Sequence, residues 1–296
     1  MLKLSDLSIS YQDKIVLDHL HFTAEKGEII GVAAPNGTGK TTLFNIIANY
    51  TKPDSGSVLI NGKYTYRNEK EEVLIHKLLT TFPEQKDLFD ELSGTAHLNL
   101  YASMWNGSSK HVPAIIDKLQ MTHYVKKKTK TYSLGMRQRL CFAMMMAADT
   151  TVMLMDEVMN GLDVTNVALI SDCLSEMKRK GKLIFVASHL LENLDLYADR
   201  VIFLKEGKIV HEQRFTEDRD IYLKVELNPV GYEELKTTIE LPDEHVYIAK
   251  HLLCIPLDGL TLPEQTRWIE QILGQVGHHL TVGPLGTVEY YEKYYS

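Results

Sequence analysis

The sequence predicts an α/β chain: a parallel sheet with crossover helices in a larger N-terminal part, then a small α+β part. Apolar runs at 152–155, 183–187 and 201–204 have the length of buried strands, with helical segments between them. Another run at 28–33 meets a glycine-bearing turn and then a segment, 41–49, whose Leu43, Ile46 and Ile47 keep helical spacing. Beyond Glu212, aromatics, Pro and His become frequent and no comparable turn recurs. The division falls between 212 and 217, giving segments 1–212 and 213–296.

Taken in order, residues 2–9 and 15–22 alternate apolar with polar, the period of half-buried strands. Residues 57–60 form another strand running into the Asn61-Gly62 turn, so the first 65 residues form a mixed β region around the glycine-bearing turn. From about 87 to 131 the chain is helical and polar, ending in Lys126-Lys127-Lys128. Strands at 152–155, 183–187 and 201–204 complete the sheet.

In the smaller part, 221–227 and 246–257 read as strands. Thr261-Leu262-Pro263-Glu264 is a helix start, a capping residue followed by Pro in the first turn. Trp268, Ile269, Ile272, Leu273 and Val276 then form one apolar stripe, read as core rather than as a partner groove. The Tyr-rich ending Val288-Glu289-Tyr290-Tyr291-Glu292-Lys293-Tyr294-Tyr295-Ser296 either packs onto its own domain or onto a second subunit. His278-His279 lacks carboxylate or Cys neighbours and is a poor metal site.

Composition narrows the class. With 44% hydrophobic and 24% charged residues, the 296-residue chain reads as a soluble globular protein of one large or two ordinary domains. A net charge of −7 argues against a nucleic-acid partner. No apolar stretch approaches the roughly 20 residues that cross a bilayer, and the N-terminus has a strand pattern without the apolar core of a secretory signal. Cys141, Cys173 and Cys254 lack metal spacing and read as reduced thiols.

The turn 34–42 carries the chemistry. Gly37 and Gly39 let the backbone curl so that successive N–H groups converge, and they do so at the positive end of the helix that follows. That is a nest for phosphate oxygens. Lys40 can reach the β- and γ-phosphates, and the Thr41 hydroxyl can complete the shell of a Mg²⁺ ion. The pattern ordinarily begins with Gly where this chain has Ala34, which is tolerable if the backbone there keeps a negative φ. The strand at 152–155 ends in Asp156-Glu157: Asp156 is placed to hold Mg²⁺, and Glu157, one residue on, to polarise a water against the γ-phosphate.

With these two motifs stands Tyr132-Ser133-Leu134-Gly135-Met136-Arg137-Gln138-Arg139-Leu140, a short distance before the strand bearing Asp156. Asn160-Gly161-Leu162-Asp163 follows that strand, and Ser188-His189 follows the next. Over residues 1 to about 212 the chain resembles the nucleotide-binding subunit of an ABC transporter. The resemblance implies a P-loop NTPase fold: a RecA-like core with an antiparallel β subdomain and a helical insert at about 86–133. It implies ATP and Mg²⁺ as ligands.

On that resemblance Asn36, Gly37, Thr38, Gly39, Lys40, Thr41 and Thr42 hold the phosphates, and Tyr11 offers an aromatic face to adenine. Ser133 and Gly135 act on ATP held by a second ATPase subunit, a homodimer or a paralogue. Leu134 and Met136 depart from the family's usual Gly and Gln there. His189 is the switch histidine, and Asp163 orders the subunit interface. Where the family has a Gln that senses Mg²⁺ and the attacking water, this chain has Glu84 and Gln85, and the sequence leaves open which one faces the site. The helical segment around 92–105 grips an integral membrane subunit.

The resemblance further implies a cytoplasmic location, peripheral on the inner face of the membrane. A small C-terminal domain and the altered signature are similar to exporters of drugs, bacteriocins or peptides. An importer subunit, or a soluble ABC-type ATPase linked to ribosomes or DNA, are the competing readings.

Overall fold

The computed structural model describes residues 1–215, 220–276 and 280–296, and the chain divides into two compact units, Met1–Arg214 and Phe215–Ser296. The first unit opens with a hairpin, β1 (Leu2–Tyr11) and β2 (Lys14–Ala24), followed by β3 (Glu28–Ala33) and α1 (Lys40–Ile47). Then come β4 (Ser55–Ile60), α2 (Glu69–Leu78), β5 (Leu79–Thr81), α3 (Gly94–Tyr101), α4 (Val112–Lys118) and α5 (Leu134–Ala148). The unit closes with β6 (Val152–Asp156), α6 (Val164–Arg179), β7 (Leu183–Ala187), α7 (Leu191–Leu194), β8 (Arg200–Lys205) and β9 (Lys208–Arg214).

These strands make two sheets. β2-β1-β4 is antiparallel, and β5-β6-β7-β3-β8-β9 is parallel except for β9, which runs antiparallel to β8. The alternating residues of β1 and β2 turn Leu2, Leu4, Leu17, Leu20 and Phe22 inward, where they share a core with Leu43, Phe44 and Ile47 of α1 and with Leu154 and Phe185 of the larger sheet. Phe22 and Phe44 meet Phe185 edge-on at 6.1 and 6.3 Å. Each such side chain contributes roughly 1.5–3 kcal/mol on burial, so the two sheets and α1 are pinned together directly beneath the turn 34–39.

The register of the larger sheet positions the site. Asp156 of β6 pairs with Ala187 of β7, which pairs with Val32 of β3. The carboxyl ends of three neighbouring parallel strands therefore lie in one row, the edge at which open α/β sheets bind ligands. The expected division at 212/213 falls inside β9, whose ladder with β8 runs to Arg214. In the polar segment 87–131, α3 runs on directly into a π-helical stretch, Ala102–Asn106, and α4 follows after turns. α2 escapes the periodicity reading because it buries only Ile75, while its apolar Val73 and Leu74 stay exposed. Its start is fixed by the Asn68 side chain accepting from the Glu71 N–H.

In the second unit β10 (Tyr222–Glu226), α8 (Pro229–Thr238), β11 (Val246–Ile248), β12 (Leu252–Pro256), α9 (Leu262–Val276), β13 (Leu280–Gly283) and α10 (Thr287–Tyr295) form a βαββαβ unit with one added helix. The sheet order is β11-β12-β10-β13, antiparallel throughout. One expected strand, 246–257, is a hairpin instead. Ala249 and Lys250 take left-handed φ of 48° and 58° and fold the chain back.

Trp268, Ile269 and Ile272 of α9 pack into this unit's core, as the stripe predicts, whereas Leu273 is 45% exposed. The Tyr-rich ending is helical. Tyr290 packs on Ile248, Cys254 and Leu285, and Lys224 pairs with Glu289 at 2.6 Å, so α10 belongs to its own unit. His278 and His279 lie outside the described residues. Cys141, Cys173 and Cys254 are buried free thiols, and burial pushes those of Cys141 and Cys254 up to about 12. Among the described residues no helix is long and apolar enough to cross a membrane.

Candidate active site

The turn between β3 and α1 has the curl that its glycines allow. Gly37 and Gly39 sit at φ of 77° and 111°, and Gly39 is the residue immediately before α1. A Cβ on Gly39 would lie 3.0 Å from Val16 Cγ1, so neither the dihedral nor the space admits another side chain comfortably. Ala34 is absent from the positive-φ residues, so the missing first glycine costs the turn nothing. Thr38 Oγ1 donates to the Pro35 carbonyl at 2.7 Å and closes the curl, while Asn36 and Gly37 stay exposed at its tip.

Lys40 is 7% exposed, with its ammonium donating to the carbonyls of Ala34 at 2.6 Å and Pro35 at 3.2 Å. Burial pushes its pKa down, against the pull of the Glu157 and Asp156 carboxylates. A partly desolvated cation beside the curl is suited to triphosphate oxygens. Thr41 Oγ1 donates to Asp156 Oδ2 at 3.0 Å, and burial raises the Asp156 carboxyl while Thr41 and Lys40 oppose the rise.

Glu157 sits just past β6 with φ of 55°, a left-handed backbone that non-glycine residues seldom take. Its N–H donates to the Ala187 carbonyl at 2.9 Å, which ties it to the end of β7. The side chain is thereby turned toward His189, and Glu157 Oε1 lies 2.7 Å from His189 Nδ1. The other oxygen, Oε2, is buried without a partner among the protein atoms. A buried carboxylate oxygen with no partner is costly unless a water or ligand meets it, which fits a site for an attacking water. Thr41 and Asp156 offer the hydroxyl and carboxylate oxygens that a hard cation such as Mg²⁺ prefers. Among the described residues no cluster of His, Cys, Asp and Glu forms an all-protein metal cage.

Two adjoining clefts converge here. One, of about 600 Å³, is lined by Tyr11, Lys14, Asn36, Gly37, Lys40, Thr42, Asp156 and Glu157. Tyr11 is 49% exposed at the end of β1, and Lys14 Nζ lies 3.4 Å from the Gly37 carbonyl, so the β1–β2 turn is anchored to the glycine turn. Sequence reasoning picked Tyr11 and missed Lys14, which has no motif of its own. The other cleft, of about 820 Å³, reaches from Thr41 and Glu157 past Glu84, Gln85, Gln138 and Asn160 to Tyr101.

Both neighbours left open by the sequence line this cleft. Glu84 is exposed and pairs with Lys86 at 2.6 Å, whereas half-buried Gln85 donates its amide to Gln138 Oε1 at 2.5 Å. Ser133 and Gly135 lie apart from this cluster at the start of α5. There the Ser133 hydroxyl accepts from the Met136 N–H at 3.3 Å and remains exposed. Leu134, standing where the family has Gly, is 61% exposed, and a Cβ on Gly161 would meet it at 2.7 Å. Asp163 caps α6, accepting from the Asn166 N–H at 2.8 Å.

The chain is similar to known proteins. A family model described as ABC transporter matches residues 17–160. The chain is 34% identical over 220 residues to an uncharacterized ABC transporter ATP-binding protein, YhcH, of Bacillus subtilis (strain 168), covering 74% of this chain and 71% of the relative. It is 27% identical to the lantibiotic transport ATP-binding protein SrtF of Streptococcus pyogenes, covering 73% of this chain and 91% of the relative. A solved structure of the ATP binding subunit of an ABC transporter superposes with a TM-score of 0.66 at 25% identity, over 73% of this chain and 90% of that one.

Proposed function

Because the chain belongs to the ATP-binding proteins of ABC transporters, a family of ATPases, we propose that it hydrolyses Mg·ATP in a head-to-tail dimer and so drives a separate membrane subunit. One observation carries the reading. Lys40, the Thr41–Asp156 pair and Glu157 with its unpartnered Oε2 converge where β3, β6 and β7 end side by side.

The residues divide the work. The turn 36–42 and Lys40 neutralise and fix the triphosphate, and Tyr11 stacks on the base. Thr41 and Asp156 would hold Mg²⁺, which supplies charge neutralisation at the β- and γ-phosphates. Glu157, aimed by its left-handed backbone and by His189, orients the attacking water. Of the two neighbours on the cleft, we favour Gln85 as the one that senses this site, which its bond to Gln138 supports. Positioning and charge, rather than covalent chemistry, lower the barrier. Ser133 and Gly135 are then free to complete the partner's site across the dimer.

The cargo class we favour is peptide, antibiotic or drug, moved outward. The likeness to a lantibiotic transport ATP-binding protein supports this reading. The test is co-purification from detergent-solubilised membranes: an integral subunit should come down with the chain. Fractionation wholly with cytosol or ribosomes would contradict the transporter reading.

A further inference from the structure

We propose that Gln138 is a positioning residue that ties the start of α5 to the backbone of Glu157, and thereby couples the two nucleotide sites of the dimer. The proposal rests on the dimeric ATPase reading above. Gln138 is 3% exposed and all its polar capacity is spent on the site. Its amide nitrogen donates to the carbonyls of Glu157 and Val158, each at 2.8 Å, and its amide oxygen accepts from Gln85 at 2.5 Å. Its neighbour Arg139 donates to the Leu119 carbonyl at 3.2 Å and to Asn166 Oδ1 in the first turn of α6. Adjacent residues of one helix thus hold the segment 157–166 at both ends.

The physical consequence lies in the backbone of Glu157. A left-handed φ of 55° on a glutamate persists only where its surroundings over-determine it. Three bonds do so here: the N–H to Ala187, and the carbonyl accepting from Gln138 at 2.8 Å and from the Asn160 N–H at 3.2 Å. If the Gln138 bonds were lost, only the longer Asn160 bond would hold that carbonyl, and the peptide that aims the carboxylate would be less constrained. Ser133 begins the same helix, about 7.5 Å away at roughly 1.5 Å per residue. In the dimer Ser133 and Gly135 face the partner's nucleotide, while Gln138 holds the base that acts on this chain's own. Nucleotide capture at one site then orders the base of the other, a coupling free energy between distinct sites.

Gln138→Glu in the full chain tests this without changing shape. The acceptor for Gln85 is kept, but the donor is replaced by an oxygen facing two carbonyls. At neutral pH kcat should fall about 10-fold or more, as expected when two buried hydrogen bonds are lost. The Hill coefficient for ATP should drop toward 1 while ATP affinity by calorimetry is preserved. Acidification protonates the new carboxyl, restores one donated bond and should recover part of kcat, which a purely structural role would not do. Gln138→Met, of similar length and apolar, should show the same loss with no recovery at low pH. Unchanged kcat and Hill coefficient in both variants would overturn the proposal. If Glu157→Gln dimerises on Mg·ATP while the Gln138 variants stay fully cooperative, the coupling alone fails. If Glu157→Gln stays monomeric, the dimeric reading fails with it.

Discussion

Glu157 and Lys40 answer opposite questions about the same phosphate. Glu157 acts after binding, so Glu157→Gln should leave ATP affinity intact and lower turnover by about 10²–10⁴-fold, the usual reach of a general base. Unimpaired hydrolysis in that variant would remove Glu157 from its role. Lys40 acts in binding itself. Lys40→Ala should weaken ATP by about 10–100-fold, the value of a charge-assisted bond of roughly 1.5–3 kcal/mol, and calorimetry reads it directly. Burial raises the Asp156 carboxyl, and Mg²⁺ needs the ionised form. The sign follows: as pH falls, Asp156 takes its proton before an ordinary aspartate would, so Mg²⁺-dependent ATP affinity should weaken at mildly acid pH. Asp156→Asn should abolish that extra Mg²⁺ dependence. Residues with a motif, such as Lys40, Thr41, Asp156 and Glu157, were legible in the sequence because their chemistry demands fixed spacing. Gln138, although it stands inside the motif 132–140, and Lys14 were not assigned a role, since each acquires one only from what tertiary contact brings to it.

At the scale of elements, the glycine turn is a shape before it is a site. Gly39→Ala places a Cβ against Val16 at φ of 111°, and a strained backbone of this kind costs about 1–3 kcal/mol. A lowered Tm together with weaker ATP binding is the expected outcome; an unchanged melting curve would mean that the curl is not required. Four of the five parallel strands were legible because strands buried on both faces are continuous apolar runs; β5, Leu79–Thr81, is too short and polar to show one. α2 was not, because its apolar residues sit together at 73–75 and 78 and only Ile75 is buried. The hairpin at β11 and β12 was read as one strand because Ala249 and Lys250 are not turn-forming residues by type. The left-handed φ there is imposed by pairing Val246 with Cys254. Glu84 and Gln85 could not be told apart from the chain alone either, since what holds each, Lys86 for Glu84 and Gln138 for Gln85, is seen only in the fold.

For the molecule as a whole, the account joins a nucleotide-binding unit, Met1–Arg214, to a βαββαβ unit, Phe215–Ser296, with its own core. The class of the first unit was legible from several motifs in order. The topology of the second was not, because short strands separated by turns carry no motif and their order depends on long-range pairing. The decisive claim is that ATP held at the glycine turn draws two chains together, with Ser133 and Gly135 of each closing the other's site. The most direct measurement is the mass in solution of Glu157→Gln by light scattering, with and without Mg·ATP. The account predicts a monomer that becomes a dimer with ATP, and a return to monomer when Ser133→Arg is added. A chain that binds ATP and keeps the mass of one copy would contradict it.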